Sequence, residues 1–190
     1  MSSVLARPDL VACLQQNQPV LFPTDTVPAL AIRPAAAQRI WALKQRPAHK
    51  PLILMGADLA QLQQTLAVEW LLEWRQEAEA VWPGPVTLVV PFKGPLQRAL
   101  NPGADSLGLR VPACPMAQEL LRHSGPLATT SVNRSGEAPA RSSEEACQVF
   151  PDLALLGPLP WPVASGQPSE VRAWTTEGWQ VLRSRPSSVV

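Results

Sequence analysis

Residues 42–54, ALKQRPAHKPLIL, read as the end of a helix, a basic loop broken by proline, and the start of a buried strand. Ile40 and Leu43, with Ala36 one turn earlier, have the spacing of an amphipathic helix. Pro47 has no amide hydrogen and restricts the residue before it, so the helix must end there. Pro51 marks the entry into the apolar run Leu52-Ile53-Leu54-Met55. Residues 26–57 carry five cations, Arg33, Arg39, Lys44, Arg46 and Lys50, and no carboxylate. The whole chain has a net charge of only +1, so this surplus is local and points to an anion site.

Toward the N-terminus, residues 9–18 predict a helix with Leu10, Cys13 and Leu14 on one face. A short strand, 19–22, runs into Pro23-Thr24-Asp25-Thr26, a loop rich in hydroxyls, and residues 27–32 resume apolar character. Residues 35–45 form the second helix, which delivers the basic loop. Toward the C-terminus, Asp58 caps a helix that runs to about Leu66. Residues 68–81 are the clearest amphipathic helix, with Trp70, Leu71, Trp74, Ala78 and Val81 on one stripe and Glu69, Glu73, Glu77 and Glu79 opposite. Trp82-Pro83-Gly84-Pro85 stops it, and residues 86–90 suit a central strand. In residues 107–111 the apolar positions alternate, which aims Arg110 away from the face of Leu109 and Val111.

A helix over 114–122 and a strand over 127–130 follow, then the polar loop Ser131-Val132-Asn133-Arg134-Ser135-Gly136. Ser142 or Ser143 caps a helix through Val149, with Glu144 and Glu145 in its favourable first turn. Residues 153–156, and more weakly 163–164, 170–172 and 179–182, are strand candidates. The tail 184–190 is expected to fray. Interleaved strands and helices predict a single-domain α/β fold over residues 5–183. Its sheet should be mixed, because some connections are too short for a helical crossover.

Hydrophobic residues make up 46% and charged ones 16%, a globular balance without self-repulsion. The 22 prolines, dispersed between apolar runs, imply many sharp turns and short elements. Near-zero net charge argues against binding nucleic acid by bulk electrostatics. Cys13, Cys114 and Cys147 are isolated, and with two histidines in the chain neither a zinc site nor a disulfide framework is expected. No run approaches the ~20 apolar residues of a membrane span, and the first residues lack the apolar stretch of a secretory signal. A reduced, cytoplasmic domain with no membrane partner is the expectation.

Neither phosphate-binding glycine loop of the common nucleotide folds is present, nor GxSxG. Nucleotide chemistry would therefore use scattered cations, hydroxyls and backbone amides. By spacing alone Lys44-x-Arg46 is a cationic helix C-terminus that complements the helix dipole. Ser131-x-Asn133 is a turn, and Thr24 and Thr26 cap backbone groups. Arg110 in an apolar strand needs an anionic partner, which an internal carboxylate or a ligand could each supply.

The order of the motifs is more specific than any one of them. PTDTV at 23–27, LKQRP at 43–47, KPLIL at 50–54, WPGPVTLVVP at 82–91, LGLRVP at 107–112 and TTSVNRSGEAP at 129–139 resemble the YrdC/TsaC family of threonylcarbamoyl-AMP synthases. The likeness spans about residues 10–175. It implies a twisted open mixed sheet flanked by helices, with a concave basic cavity, in the minimal single-domain form. It also implies condensation of L-threonine, bicarbonate and ATP to threonylcarbamoyl-AMP and pyrophosphate, for the threonylcarbamoyladenosine modification of tRNA. Lys44 and Arg46 match the family's KxR pair, expected at the phosphates as the catalytic cations, with Lys50 assisting. Ser131 and Asn133 match SxN, expected to bind ATP phosphate oxygens, with Mg²⁺ carried by ATP and no protein metal site. Arg110 matches the strand arginine expected to grip threonine's carboxylate, Thr24 the PT motif on the threonine side, and Ser169 a late serine lining the pocket.

Two departures accompany these matches. Where the family continues with an aromatic residue and glycines, this chain has Pro28, Ala29, Leu30 and Ala31. Glycine at such places serves positive φ or close approach, so the proline and added methyls are expected to narrow or reshape the threonine pocket. Ala173 stands where the family's late segment has an acidic residue. The rival readings are a module that binds double-stranded RNA or tRNA through Lys44, Arg46, Lys50 and Arg134, and a lapsed paralogue that partners other tRNA threonylcarbamoylation proteins.

Overall fold

The apolar run after Pro51 forms a strand in the middle of a sheet, and the cationic helix before it lies on one face. The computed structural model describes residues 3–45, 47 and 50–185. Arg46, His49 and residues 186–190 of the tail lie outside the described residues. In chain order the strands are β1 (Val4–Leu5), β2 (Val20–Phe22), β3 (Ala29–Ile32), β4 (Ile53–Met55), β5 (Val86–Pro91), β6 (Ser106–Arg110), β7 (Leu127–Ser131), β8 (Ala154–Leu156), β9 (Glu170–Thr175) and β10 (Gly178–Arg183). The helices are α1 (Arg7–Gln15), α2 (Gln38–Lys44), α3 (Leu59–Leu66), α4 (Leu72–Val81), α5 (Pro95–Leu100), α6 (Pro115–Ser124) and α7 (Ser143–Val149).

The ten strands form one sheet in the order β1-β8-β2-β3-β7-β4-β6-β5-β9-β10. Parallel pairs, such as β4 with β6 and β5 with β9, occur beside antiparallel ones, such as β3 with β7 and β5 with β6. The sheet is therefore mixed, as the short connections require.

Period-two alternation sends the two sides of each strand to different surroundings. Leu30, Ile32, Leu54, Leu88, Leu107 and Leu109 enter a large core with Ile40 of α2, Leu62 and Leu66 of α3, and Trp74 and Ala78 of α4. On the other face, Val20, Phe22, Ala29, Ala31 and Met55 pack against Leu10 and Leu14 of α1 and Ala117, Leu120 and Leu121 of α6. Burial of each of the larger side chains is worth about 1.5–3 kcal/mol relative to exposure. Helices α1 and α6 cover only part of this second face, and the remainder is the floor of a cleft.

Several elements differ from their expected form for identifiable reasons. Helix α1 starts at Arg7, because Pro8 is tolerated in a first turn, and it ends at Gln15. The second helix is divided: residues Pro34–Ala36 make a 3-10 turn before α2. Ala67 closes α3 with a φ of 50°, and extended Leu71 precedes α4. Leu71 thus leaves the stripe and is 47% exposed, while Trp70 and Trp74 stay buried and meet edge to face. Residues 163–164 form no strand, whereas β1 and α5 had no periodic signal long enough to reveal them. Ser142 is the cap of α7, accepting from Glu145 N at 3.2 Å. Cys13, Cys114 and Cys147 are free thiols.

Candidate functional site

The cleft has a volume of about 670 Å³. Its floor consists of the second-face side chains of β3 to β9, among them Ala29, Ile53, Met55, Thr87, Val89, Gly108, Arg110, Thr129, Ser131 and Val171. Half of these are small or hydroxyl residues, which helps to keep the face open. Lys50, Arg110 and Arg183 are its charged lining residues among those described. Gly108 sits at mid-floor, where a Cβ would lie 2.9 Å from Ile53 Cγ2. Gly108→Val is expected to cost about 1–3 kcal/mol by overpacking and to obstruct the cleft, the first measurable as a fall in Tm.

Strand register divides the floor into two ends. Arg110 is level with Met55 on β4, and antiparallel β5 places Thr87 beside it. Thr87 is level with Val171, and Val171 with Arg183. At the opposite end, Ser106 begins β6, and Ser131 pairs with Ala29. Lys50 precedes β4 at that end. Four residues from Ser106 to Arg110, at about 3.3 Å each, separate the ends by roughly 13 Å.

Arg110 is 4% exposed, yet it lines the cleft. Its Nε donates to Gly84 O at 3.2 Å, Nη1 to Thr26 Oγ1 at 2.8 Å, and Nη2 to Asp25 Oδ1 at 2.7 Å. The anionic partner expected for this arginine is thus Asp25, which also accepts from Ala113 N. A guanidinium has five N–H donors. Three are used, and one remains on each terminal nitrogen. Burial pushes the Arg110 pKa down from its ordinary value; Asp25 opposes that shift, while the positive charges of Arg183 and Arg185 add to it. One carboxylate therefore faces a cluster of guanidinium groups.

Thr24 meets this end through the loop before β3. Its hydroxyl donates to Val27 O at 2.7 Å, so in the 2.9 Å contact between the two threonine hydroxyls Thr26 is the donor. The loop is ordered by a directional chain from Arg110 through Thr26 and Thr24 to the Val27 carbonyl. Ser169 completes the end: its Oγ lies 2.9 Å from Thr87 Oγ1, and Arg183 Nε and Nη2 donate to its carbonyl. Burial lowers the Arg183 pKa.

The other group gathers behind Ser131. Lys44 is fully buried; its Nζ donates to Ser131 O and, at 2.8 Å, to Asn133 Oδ1. Ser131 Oγ donates to the same Oδ1 at 2.6 Å. The loop is stitched to the end of α2 by Arg134, which donates to Leu43 O, and by Ser135 N, which donates to Lys44 O. Lys44, Ser131 and Asn133 are therefore one cluster, with Ser131 on the cleft wall and Lys44 buried beneath it. Lys50 lines the cleft nearby.

Pro28 and Ala29 line the cleft at the Ser131 end, whereas Ala31 is buried under α1 and α6. Neither alanine has a positive φ; both are ordinary strand residues. The added methyl in the cleft thus bears on the Ser131 end of the floor. Ala173 lies in β9, paired with Val89.

Asp25, Thr87, Asn101, Ser106 and Arg183 are site residues that sequence reasoning missed. Arg183 was hidden by a register shift between Val181 and Arg183, which lets Leu182 and Arg183 both line the cleft. Strict alternation would have set them on opposite faces.

Fold and site together define an α/β protein with a mixed sheet, one face of which is left open and equipped with cations at both ends. Residues 12–184 match the family model described as "Telomere recombination", which groups Sua5, YciO and YrdC, and the chain belongs to that family. It is 40% identical over 146 residues to the threonylcarbamoyl-AMP synthase of Serratia proteamaculans, covering 74% of this chain and 77% of that one. To the protein of the same name from Yersinia pestis it is 38% identical over 154 residues, covering 78% and 81%. The crystal structure of P. abyssi Sua5 complexed with L-threonine superposes with a TM-score of 0.85 at 30% identity and covers 94% of this chain. This chain spans 54% of that Sua5 chain.

Proposed function

We propose that this chain is a nucleotidyltransferase, an L-threonylcarbamoyladenylate synthase. It condenses L-threonine, bicarbonate and ATP to threonylcarbamoyl-AMP and pyrophosphate, for threonylcarbamoyladenosine modification of tRNA. The observation that carries this reading is the division of one cleft face into two ends. Thr24, Arg110 and Ser169 gather at one, and Lys44, Lys50, Ser131 and Asn133 at the other. An amino-acid carboxylate fits the two remaining N–H groups of Arg110, a fork suited to bidentate pairing. A triphosphate fits the end with Lys50 and the Ser131 hydroxyl.

The chemistry asks for no protein nucleophile. Threonine's amine and bicarbonate give a carbamate with loss of water. A carbamate oxygen attacks the α-phosphorus, the bond from that phosphorus to the β-phosphate oxygen breaks, and pyrophosphate leaves. The protein's tasks are to align the two substrates, neutralise phosphate charge and exclude water from the mixed anhydride. Among the described residues, no three His, Cys, Asp or Glu side chains cluster to hold a metal. Mg²⁺ enters this reading as an ion carried by the ATP phosphates and water. Among the described residues no helix is long and apolar enough to cross a membrane, and the cytoplasm is the proposed location. Transfer to tRNA, with other threonylcarbamoylation proteins, follows release of the adenylate.

The test is pyrophosphate release from ATP by the purified protein, with and without threonine and bicarbonate. Release that needs both supports the synthase. ATP binding without such release would sink it. Lys50→Ala is expected to raise the KM for ATP about fivefold with kcat within about twofold, since an exposed cation contributes on the order of 1 kcal/mol to one phosphate contact.

A further inference from the structure

We infer that Asn101 is a specificity residue for the nucleoside of ATP. Its Oδ1 accepts from a neutral donor there, a ribose hydroxyl or the adenine amino group. This rests on ATP being the substrate of the cleft. Asn101 is 7% exposed and lines the cleft. Its backbone is pinned: Asn101 N donates to Gln97 O at 2.6 Å, and Gln97 Nε2 donates to Asn101 O and Ala104 O at 2.8 and 2.7 Å. Leu52 N donates to Leu100 O at 2.8 Å, which seats Asn101 beside Leu52, near Lys50.

The orientation of the amide is fixed by chemistry. Asn101 Nδ2 lies 3.0 Å from Ser106 O and 3.2 Å from Ser106 Oγ. A carbonyl can only accept, so the nitrogen must face Ser106 and Oδ1 must face away. No hydrogen bond reaches Oδ1 among the described residues, and the atom is not enclosed. A residue more than nine-tenths buried therefore presents one unpaired acceptor to the cleft.

Phosphate and carboxylate oxygens are themselves acceptors and are repelled by that lone pair. Threonine's donors lie with its carboxylate at the Arg110 end, roughly 13 Å off by strand rise. The donors that remain belong to the nucleoside.

The experiment is calorimetric titration of the full chain, without threonine, with ATP, 2′-deoxy-ATP, 3′-deoxy-ATP and inosine triphosphate, against wild type and Asn101→Leu. In wild type one analogue should bind about 5- to 10-fold more weakly than ATP, the effect of one neutral hydrogen bond. Which analogue it is tells hydroxyl from amino group. Asn101→Leu should erase that ratio, whatever its general effect on affinity. Equal binding of all four nucleotides by wild type overturns the inference without recourse to the variant, as does a ratio that survives in Asn101→Leu. Failure of the synthase reading looks different: ATP and its analogues are still discriminated, but no threonine-dependent pyrophosphate appears.

Discussion

Arg110→Ala is expected to abolish threonine-dependent pyrophosphate release and to destabilise the fold by about 3–5 kcal/mol. Both effects come from one geometry. The guanidinium is the only cation paired with Asp25 among the described salt bridges, and both side chains are largely withdrawn from water. Removal of one member leaves a buried carboxylate without its counter-charge, held only by the Ala113 amide, and takes from Thr26 Oγ1 and the Gly84 carbonyl the donor that Arg110 supplied. The lost activity has a different origin, because the carboxylate of threonine would lose its bidentate site. A double variant separates the two. Arg110→Ala with Asp25→Ala should regain much of the lost Tm, since no uncompensated charge remains, but none of the activity. If activity returned with stability, Arg110 would be a scaffold residue and the threonine site would lie elsewhere. Arg110→Lys tests the fork: it keeps the charge, but a point ammonium cannot serve Gly84, Thr26 and Asp25 together with a ligand. It should restore part of the stability and little of the turnover.

The alternation in residues 107–111 foretold this side chain's face, because a strand with a core on one side has no freedom of register. Its partner was less legible. Asp25 is 85 residues away, and the loop that carries it showed only hydroxyls and turn chemistry. The helices α2, α3, α6 and α7 were readable from periodicity and caps, since Pro47, Asp58 and Ser142 act locally. Short α5 and two-residue β1 were not, because neither spans enough residues to show a period. Arg183 needed knowledge of a register shift, which depends on how β10 meets β9. The order of the motifs grouped Lys44, Ser131 and Asn133, and hydrogen bonds join the three. It did not reveal that the lysine would lie beneath the serine, since depth from the cleft is a property of the packed sheet.

That depth makes Lys44→Met the second large effect. The ammonium has no exposure and donates to the Ser131 carbonyl and the Asn133 side chain. Methionine fills a similar volume but leaves the Ser131 carbonyl short of a donor, at about 1–3 kcal/mol, while Asn133 Oδ1 keeps only its bond from Ser131 Oγ. A Tm drop equivalent to about 1–3 kcal/mol is therefore expected. Turnover should fall by about 100-fold or more, because a small displacement of the Ser131 hydroxyl misaligns the phosphates. Lys50→Ala, at an exposed position on the cleft wall, should have a far smaller effect on both. The route of the effect can be measured. If Lys44 works by holding Ser131 and Asn133 in place, Lys44→Met and Ser131→Ala act on one unit, and their combined loss in kcat should be well below the sum of the separate losses in ΔΔG‡. Full additivity would mean that the lysine reaches the phosphates independently, through a conformation in which it leaves the Ser131 carbonyl and crosses into the cleft.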